Sequence, residues 1–253
     1  MLKVSLTYDK GTIIIKGLAH IPFAVVDPRT NSLRAQAMQY SNIMNYLHES
    51  AIECSGDYVL DLVPSPADMR ATNLSLRDYQ QKALDRWTKV GMKGCIVLPT
   101  GAGKTMIGIK AIEKVNSASL VVVPTLDLMS QWTDFLSKHF TNITIGNLGG
   151  GLDDIRAITV ATYDSAYIRA SSLGDKFSLV IFDEVHHLAA PGYRSIAEQL
   201  AAPCRLGLTA TIEREDKLHL DFPKLVGGGV VFEVDASVLA KDKHLAYYKI
   251  ERR

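Results

Sequence analysis

A short glycine-containing segment, Leu-Pro-Thr-Gly-Ala-Gly-Lys-Thr at residues 98–105, constrains the fold more than any other part of the chain. It follows an apolar run at residues 95–98 and leads into helical apolar spacing at residues 106–115. A loop between a strand and a helix directs backbone N–H groups and the positive end of the helix towards one point, which attracts phosphate oxygens. The segment therefore predicts a strand–loop–helix unit that binds the phosphates of a nucleotide.

Four further apolar runs repeat this arrangement. Each is short and lacks polar–apolar alternation, and helical segments separate the runs. They lie at residues 120–123, 158–161, 179–182 and 205–208. Unpatterned apolar strands that alternate with helices are typical of a parallel sheet covered on both faces. We therefore predict an α/β fold of this kind, in which ligands gather at the carboxyl ends of the strands.

The N-terminal quarter of the chain has a different pattern. The predicted elements there are two strands joined by a tight turn within residues 2–16, a helix at 34–50 and a strand at 58–63. Pro64-Ser65-Pro66 is expected to form a stiff, non-helical connector. We predict a small α+β domain over residues 1–66, followed by a larger domain over residues 67–253.

Composition excludes several classes of protein. The net charge is +1, from 28 basic and 27 acidic residues, so DNA contacts would depend on local patches. The three cysteines lie far apart in the sequence. Their spacing is not that of a zinc site, and their odd number and wide separation argue against a disulfide framework. The N-terminus is too polar for a signal peptide, and no apolar run approaches membrane-spanning length. We therefore expect a protein of a reducing compartment with no membrane partner.

The phosphate loop supplies the first candidate site residues. Lys104 would reach the β- and γ-phosphates of a nucleoside triphosphate, and the Thr105 hydroxyl would bind Mg²⁺. The other candidate contacts with the nucleotide in this loop are Thr100, Gly101, Ala102 and Gly103. The full pattern G-x-x-x-x-G-K-[ST] expects glycine at position 98, where this chain has leucine. The alternative is a glycine-containing turn with no ligand.

An acidic pair supplies the second set. Asp183 and Glu184 follow the apolar run at residues 179–182. Asp183 is a candidate ligand of Mg²⁺, and Glu184 is placed to polarise an attacking water. Lys104, Asp183 and Glu184 are therefore the candidate catalytic residues. The alternative is a pair of solvated acids. Two adjacent histidines follow, but neighbouring residues point to different sides and a third ligand is not evident, which disfavours zinc.

Together these segments resemble the motifs of the XPB-type superfamily 2 DNA helicases of archaea. Residues 99–105 are similar to motif I, in which leucine at position 98 is ordinary, and residues 183–186 are similar to motif II. Residues 122–126 resemble motif Ia, residues 162–165 a further DNA-contact motif, and residues 208–211 motif III. The resemblance implies a RecA-like first motor lobe over residues 67–253, with ATP and Mg²⁺ as cofactors.

The same resemblance implies roles for further residues. Gln80, with Arg77 beside it, belongs to a segment whose glutamine recognises adenine. The residues that would couple the ATP site to DNA are His186, Thr209 and Thr211. The residues that would contact DNA are Pro124, Thr125, Thr162, Arg214, Glu215 and Asp216.

The triplet Arg214-Glu215-Asp216 after motif III is a hallmark of the XPB family, in which this loop is proposed to help separate strands. The alternative is a charged first turn of a helix, with acids near its N-terminus. The N-terminal domain resembles the family's damage-recognition domain. Residues 1–66 hold five basic and six acidic side chains, which is not a basic footprint. Aromatic insertion into DNA by Tyr8 or Phe23 and docking of a protein therefore stay open.

The segment after Arg214 does not resemble the second motor lobe of these helicases, and residues 227–234 look like the last strand of the first lobe. The resemblance implies a second lobe in cis or in trans, which supplies an arginine finger. It also implies forked or damaged duplex DNA as substrate and a nuclease as candidate partner. An archaeal-like protein of this kind would be cytoplasmic and associated with the nucleoid, and a eukaryotic one nuclear.

Two classes of function remain. The first is the ATP-binding lobe of an ATP-dependent DNA helicase or translocase of nucleotide excision repair, with little activity by itself. The second is a module that binds DNA or protein and has an idle ATP site.

Overall fold

The computed structural model describes residues 3–210 and 222–241. Its first sheet is built from the N-terminal strands, which are β1 (Val4–Asp9), β2 (Thr12–Lys16), β3 (Val25–Asp27), β4 (Ser32–Gln36) and β5 (Cys54–Tyr58). Their order in the sheet is β3-β4-β2-β1-β5. The pairs among β1 to β4 are antiparallel, whereas β5 lies parallel to β1.

The hairpin of β1 and β2 follows directly from the sequence. Lys10 and Gly11 adopt positive φ angles of 47° and 88°, as the two-residue turns that match the twist of a hairpin require. Alternate residues of both strands face a small core, which helix α1 (Tyr40–Glu49) completes with Ile43 and Leu47. The predicted pair of strands within residues 2–16 is confirmed.

Two predictions for the N-terminal segment are wrong. The helix predicted over residues 34–50 lacks its first residues, because residues 34–36 pair with β2 as part of β4; Ala37–Gln39 form a 3-10 turn, and the α-helix begins at Tyr40. The strand predicted at residues 58–63 ends at Tyr58, where its predicted range begins. Glycine and aspartate are rare in strands, but parallel pairing with β1 outweighs this local preference in β5.

The second sheet has eight strands. They are β6 (Lys93–Val97), β7 (Ser119–Val123), β8 (Ile145–Gly149), β9 (Leu152–Asp153), β10 (Ile158–Thr162), β11 (Leu179–Asp183), β12 (Cys204–Thr209) and β13 (Val230–Glu233). Their order is β13-β6-β12-β11-β7-β10-β8-β9, and only the pairing of β8 with β9 is antiparallel. The predicted parallel sheet and its five strands are confirmed, and the sequence did not predict β8 and β9.

Helices cover both faces of this sheet. They are α2 (Asp78–Lys89), α3 (Lys104–Val115), α4 (Leu126–His139), α5 (Tyr163–Leu173), α6 (Arg194–Gln199), α7 (Phe222–Val226) and α8 (Ala236–Lys241). Successive residues of the central strands are buried in different cores: Ile181 packs with α3 and α4, and Phe182 packs with α5 and α6. The predicted α/β fold is thus confirmed. Within the described ranges, no helix has the length and apolar character needed to cross a membrane.

The connector between the two sheets lies against the larger one. Residues 59–77 contain no helix or strand, in agreement with the predicted non-helical connector around residues 64–66. The backbone N–H groups of Asp61 and Val63 donate to the carbonyls of Asp175 and Lys176 at 2.9 and 3.0 Å. The ammonium of Lys176 lies 2.5 Å from the Asp61 carboxylate. These bonds fix the connector in place, while the exact boundary at residue 66 stays a prediction.

Tyr8 joins the first sheet to the second. Its hydroxyl donates to the carbonyls of Ser171 and Gln199 at 2.9 and 3.2 Å, and burial raises the pKa of this hydroxyl to about 12. A Cβ on Gly174 would overlap the tyrosine ring, so only glycine admits this close approach. Tyr8 is therefore part of the contact between the two sheets, while insertion of its ring into DNA stays a prediction.

We expect Tyr8→Phe to lower the free energy of unfolding by about 1 kcal/mol, because two carbonyls in the contact lose a donor. Thermal or denaturant unfolding measures this change. Tyr58→Phe is the matched control, since it removes a hydroxyl from a side chain of the same sheet that is 69% exposed. Equal stability of both variants and the wild type would contradict a stabilising role for the Tyr8 contact.

Candidate nucleotide-binding site

The candidate site lies where the parallel strands of the second sheet end. In register, Val97 of β6 lies opposite Thr209 of β12, and Leu208 lies opposite Asp183 of β11. The N–H group of Leu98 also donates to the Thr209 carbonyl at 3.0 Å. The start of the phosphate loop, the end of β12 and the acidic pair therefore lie side by side at one edge of the sheet.

The phosphate loop has the geometry of a tight turn into a helix. Gly101 and Gly103 have φ angles of +80° and +74°, which side chains rarely permit. Lys104 is the first residue of α3, and Thr105 follows in its first turn. The Lys104 ammonium donates to the Leu98 carbonyl at 3.2 Å, so the lysine folds back over the loop.

Gln80 and its neighbour Tyr79 brace the loop from helix α2. The Gln80 side-chain amide donates to the carbonyl of Ala102 at 2.9 Å, and its oxygen accepts from the backbone N–H of Arg77 at 2.9 Å. The Tyr79 hydroxyl donates to the same Ala102 carbonyl at 2.8 Å. Arg77 is the N-cap residue of α2 and is exposed. The structure therefore brings Gln80 to the loop. Both the side-chain nitrogen and the side-chain oxygen of Gln80 already have hydrogen-bond partners within the protein.

Asp183 is the more deeply buried member of the acidic pair, with 7% of its surface exposed. One of its oxygens, Oδ2, accepts from the indole N–H of Trp132 at 2.7 Å, and Oδ1 accepts from the N–H of Glu184 at 3.1 Å. Burial raises the pKa of Asp183 above its ordinary value, with the Glu184 charge acting in the same direction and the bond from Trp132 opposing it. The carboxylate is thus held in one orientation at a site that disfavours an unbalanced negative charge.

Glu184 faces the phosphate loop. Its backbone is left-handed, with φ of 46°, and its carboxylate Oε1 lies 3.9 Å from the Lys104 ammonium. The Thr209 hydroxyl is 3.3 Å from Glu184 Oε2, and His186 Nδ1 lies 3.2 Å from that hydroxyl and 3.5 Å from Oε2. The candidate catalytic acid and two candidate coupling residues therefore form one cluster.

The residues present fit Mg²⁺ bound together with a nucleotide. Thr105 and Asp183 offer a hydroxyl and a carboxylate, which are the hard oxygen ligands that Mg²⁺ prefers. Across the described ranges, no group of three or more histidine, cysteine, aspartate or glutamate side chains could hold a metal ion by itself. A cation here would thus depend on phosphate oxygens and water for its remaining ligands.

Of the candidate DNA-contact residues, Pro124, Thr125 and Thr162 lie at the same edge of the sheet, just after β7 and at the end of β10. The hydroxyls of Thr125 and Thr162 cap α4 and α5 by accepting from the N–H groups of Leu128 and Ser165 at 3.2 and 3.3 Å. Thr125 is exposed and Pro124 is half-buried, but only 7% of Thr162 is exposed. Thr162 therefore shapes the start of a helix more than it presents a side chain.

Four predicted residues, Thr211, Arg214, Glu215 and Asp216, lie outside the described residues. The structure also adds two residues that sequence reasoning did not assign to the site. Trp132 bonds the Asp183 carboxylate, and the Tyr163 hydroxyl donates to the Asp183 carbonyl at 3.1 Å. Tyr163 lies within the segment at residues 162–165 that resembles a DNA-contact motif, and Trp132 follows the segment that resembles motif Ia, but neither resemblance indicates a bond to Asp183.

Comparison with known families agrees with this geometry. Residues 73–214 match the sequence model of the family described as Type III restriction enzyme, res subunit. Residues 6–56 match the model of the xeroderma pigmentosum group B helicase damage recognition domain. The first matched region contains β6 to β12, and the second contains β2 to β4 with parts of β1 and β5.

Two curated relatives are similar to this chain in sequence, and one solved structure is similar in fold. The DNA 3'-5' translocase XPB2 of Sulfurisphaera tokodaii is 43% identical over 249 residues, which cover 98% of this chain and 55% of that protein. The DNA 3'-5' helicase XPB of Kineococcus radiotolerans is 36% identical over 170 residues, covering 63% of this chain and 30% of that protein. The Sulfolobus solfataricus SWI2/SNF2 ATPase core in complex with dsDNA has a similar fold, with a TM-score of 0.52 and 23% identity over 64% of this chain and 37% of that one.

The chain thus spans about half the length of its Sulfurisphaera relative and less of the other. The family match covers more than half of the chain, and an XPB damage recognition domain precedes it. This protein therefore belongs to the family described as Type III restriction enzyme, res subunit, and it is similar over nearly its whole length to part of an XPB relative.

Proposed function

We propose that this chain is the ATP-binding first motor lobe of an XPB-like DNA helicase or translocase of nucleotide excision repair. In this proposal, Mg·ATP hydrolysis drives the opening of duplex DNA. The observation that carries the proposal is the approach of the Lys104 ammonium to within 3.9 Å of Glu184, beside Asp183 and beneath a loop with two left-handed glycines. The names of the curated relatives, which refer to DNA translocation and unwinding, support the choice of substrate.

Lys104 has the central part in nucleotide binding. Its ammonium donates to the Leu98 carbonyl and lies near Glu184, so it is already placed between the loop and the acidic pair. The negatively charged β- and γ-phosphates would replace the neutral carbonyl and the more distant carboxylate as partners of the ammonium. Once Lys104 turns to phosphate, the Glu184 carboxylate is released to orient and polarise a water molecule.

Asp183 and Thr105 would hold Mg²⁺, which when bound neutralises charge on the phosphate oxygens. The Thr209 hydroxyl lies between Glu184 and His186, at the end of the strand that leads towards Arg214, Glu215 and Asp216. A change at the γ-phosphate would therefore reach this strand through Glu184. This route supports the proposal that His186, Thr209 and Thr211 couple the ATP site to DNA.

The proposed DNA surface is the edge of the sheet that carries Pro124, Thr125 and Thr162, extended by the triplet at residues 214–216. The exposed N-terminus of α4 would face phosphates of a forked or damaged duplex. For the N-terminal domain, Phe23 stays a candidate for aromatic insertion, since it is 38% exposed. A second motor lobe in cis or in trans completes the proposed motor, and a nuclease partner stays a prediction.

The second candidate function is a DNA- or protein-binding module with an idle ATP site. The observation that favours it is the set of protein partners that Lys104 and Gln80 already have. The two functions differ in what they predict for nucleotide binding and turnover.

We expect Lys104→Ala to weaken binding of Mg·ATP at least tenfold, because charge-assisted bonds to phosphate are lost. Isothermal titration calorimetry with excess MgCl₂ measures the affinity. Lys114→Ala is the matched control, because Lys114 is exposed in the last turn of the same helix. Unchanged affinity in Lys104→Ala, or no binding by the wild type, would favour the idle-site function.

Gln80→Leu tests whether the hydrogen bonds of Gln80 to the phosphate loop increase the affinity for the nucleotide. We expect ATP affinity to fall about threefold to tenfold, since one or two hydrogen bonds that order the loop are lost. Gln81→Leu is the control, because this neighbouring side chain bonds Asp85 on the exposed side of α2. Equal ATP affinities of the two variants would contradict a role for Gln80 in nucleotide binding.

Turnover provides the test of the motor itself. We expect a very low kcat for this chain alone, and a rise of about 10³–10⁵ when a separately expressed second lobe and forked DNA are added. Lys104→Ala should abolish that rise. Substantial hydrolysis by the chain alone would contradict the dependence on a second lobe. A failure to hydrolyse ATP in every mixture, with DNA binding intact, would support the binding module instead.

A further inference from the structure

Trp132 occupies a fully buried position between the two halves of the candidate site. It lies on α4, is 1% exposed, and belongs to the core on the α3 side of the sheet. Its indole N–H is directed at Asp183, with a distance of 2.7 Å from Nε1 to Oδ2. A short bond from a neutral donor to a buried carboxylate is among the stronger hydrogen bonds of proteins.

The packing around Trp132 is arranged to admit the indole ring. A Cβ added to Gly108 would lie 2.6 Å from the ring of Trp132 and 3.5 Å from the side chain of Ile181. Gly108 lies on α3, one turn beyond the phosphate loop, and Ile181 lies on β11, two residues before Asp183. The ring is therefore held between the helix that begins at Lys104 and the strand that ends at Asp183.

The hydrogen bonds of Asp183 leave room for a cation. Each carboxylate oxygen can accept about two hydrogen bonds or ligands. Oδ2 accepts from Trp132 and Oδ1 accepts from the N–H of Glu184, so each oxygen keeps acceptor capacity. The two donors lie on opposite oxygens and together prevent rotation of the carboxyl group.

We propose that Trp132 is a positioning residue that fixes the orientation in which Asp183 meets the divalent cation, and thereby sets the Mg²⁺ affinity of the nucleotide complex. The inference rests on the proposed function and deepens it. Loss of a hydrogen-bond partner of a metal ligand commonly weakens metal binding 10–100-fold. A merely structural role of Trp132 would depend on the bulk of the ring and not on its N–H group.

The test compares two tryptophan variants that each lose one buried indole N–H. Trp132→Phe removes the donor to Asp183, and Trp87→Phe removes a donor to the Arg205 carbonyl, at 3.0 Å, in a part of the core away from Asp183. ADP binding to the 253-residue chain is titrated at a series of MgCl₂ concentrations. We expect Trp132→Phe to raise the MgCl₂ concentration for half-maximal binding about tenfold, with Trp87→Phe close to the wild type.

A spectroscopic measurement keeps the inference testable if Trp132→Phe does not fold. The chain has two tryptophans, so its ¹⁵N-labelled indole groups give two signals, which Trp87→Phe assigns. We expect Asp183→Asn, and separately MgCl₂ with ADP, to shift the Trp132 signal clearly more than the Trp87 signal. MgCl₂ alone serves as the reference titration.

The possible outcomes distinguish failure of the proposed function from failure of the role proposed for Trp132. No binding of ADP by the wild type at any MgCl₂ concentration would overturn the proposed function. Normal binding with the same MgCl₂ dependence in both tryptophan variants would overturn only the role of Trp132. The role of Trp132 would also be overturned if neither Asp183→Asn nor Mg·ADP shifted the Trp132 signal.

Discussion

The register of three neighbouring parallel strands, β6, β12 and β11, is the constraint on which the rest of the structure depends. It sets Val97 opposite Thr209 and Leu208 opposite Asp183, so that the three strands end side by side at the same edge of the sheet. Because side chains alternate between the faces of a strand, a shift of one residue would turn each of these groups to the other side. The distances among Lys104, Glu184 and Thr209 thus follow from backbone pairing that local sequence does not reveal.

The middle strand of the three also links the site to the N-terminal domain. Arg205 on β12 is fully buried, and its guanidinium donates to the carbonyls of Ala197 and Leu200 at the end of α6. Burial lowers its pKa to about 10, and its Nε atom has no hydrogen-bond partner within the described part of the chain. A buried cation is costly unless it is well bonded, so the position of α6 is tied closely to that of β12.

Helix α6 is also where the N-terminal domain rests. The Tyr8 hydroxyl bonds the carbonyl of Gln199, the last residue of α6, and Ala201 is buried in the core of the first sheet. The contact between the domains and the Thr209 hydroxyl are therefore connected by one strand, with Arg205 near its start.

Local signals predicted some of this arrangement, and long-range pairing decided the rest. The phosphate loop and the strand before Asp183 are recognisable because glycine spacing and an unbroken apolar run are local properties. The bond of Trp132 to Asp183 spans 51 positions and needs Gly108 on a third element, so no single segment encodes it. The error at residues 34–36 has the same origin, since their pairing with β2 outweighs helical spacing.

The charges at the site explain why cation and nucleotide should bind together. Asp183 and Glu184 are adjacent carboxylates, and Lys104 is the cation seen beside them, 3.9 Å from Glu184. Burial and the charge of Glu184 already raise the pKa of Asp183. If phosphates bind the Lys104 ammonium, both carboxylates lose a nearby positive charge and gain negative charge beside them. A divalent cation would reduce this electrostatic repulsion. In the proposed complex, binding of the phosphates and binding of Mg²⁺ would therefore favour each other, and the orientation of the Asp183 carboxylate would govern how strongly they do so.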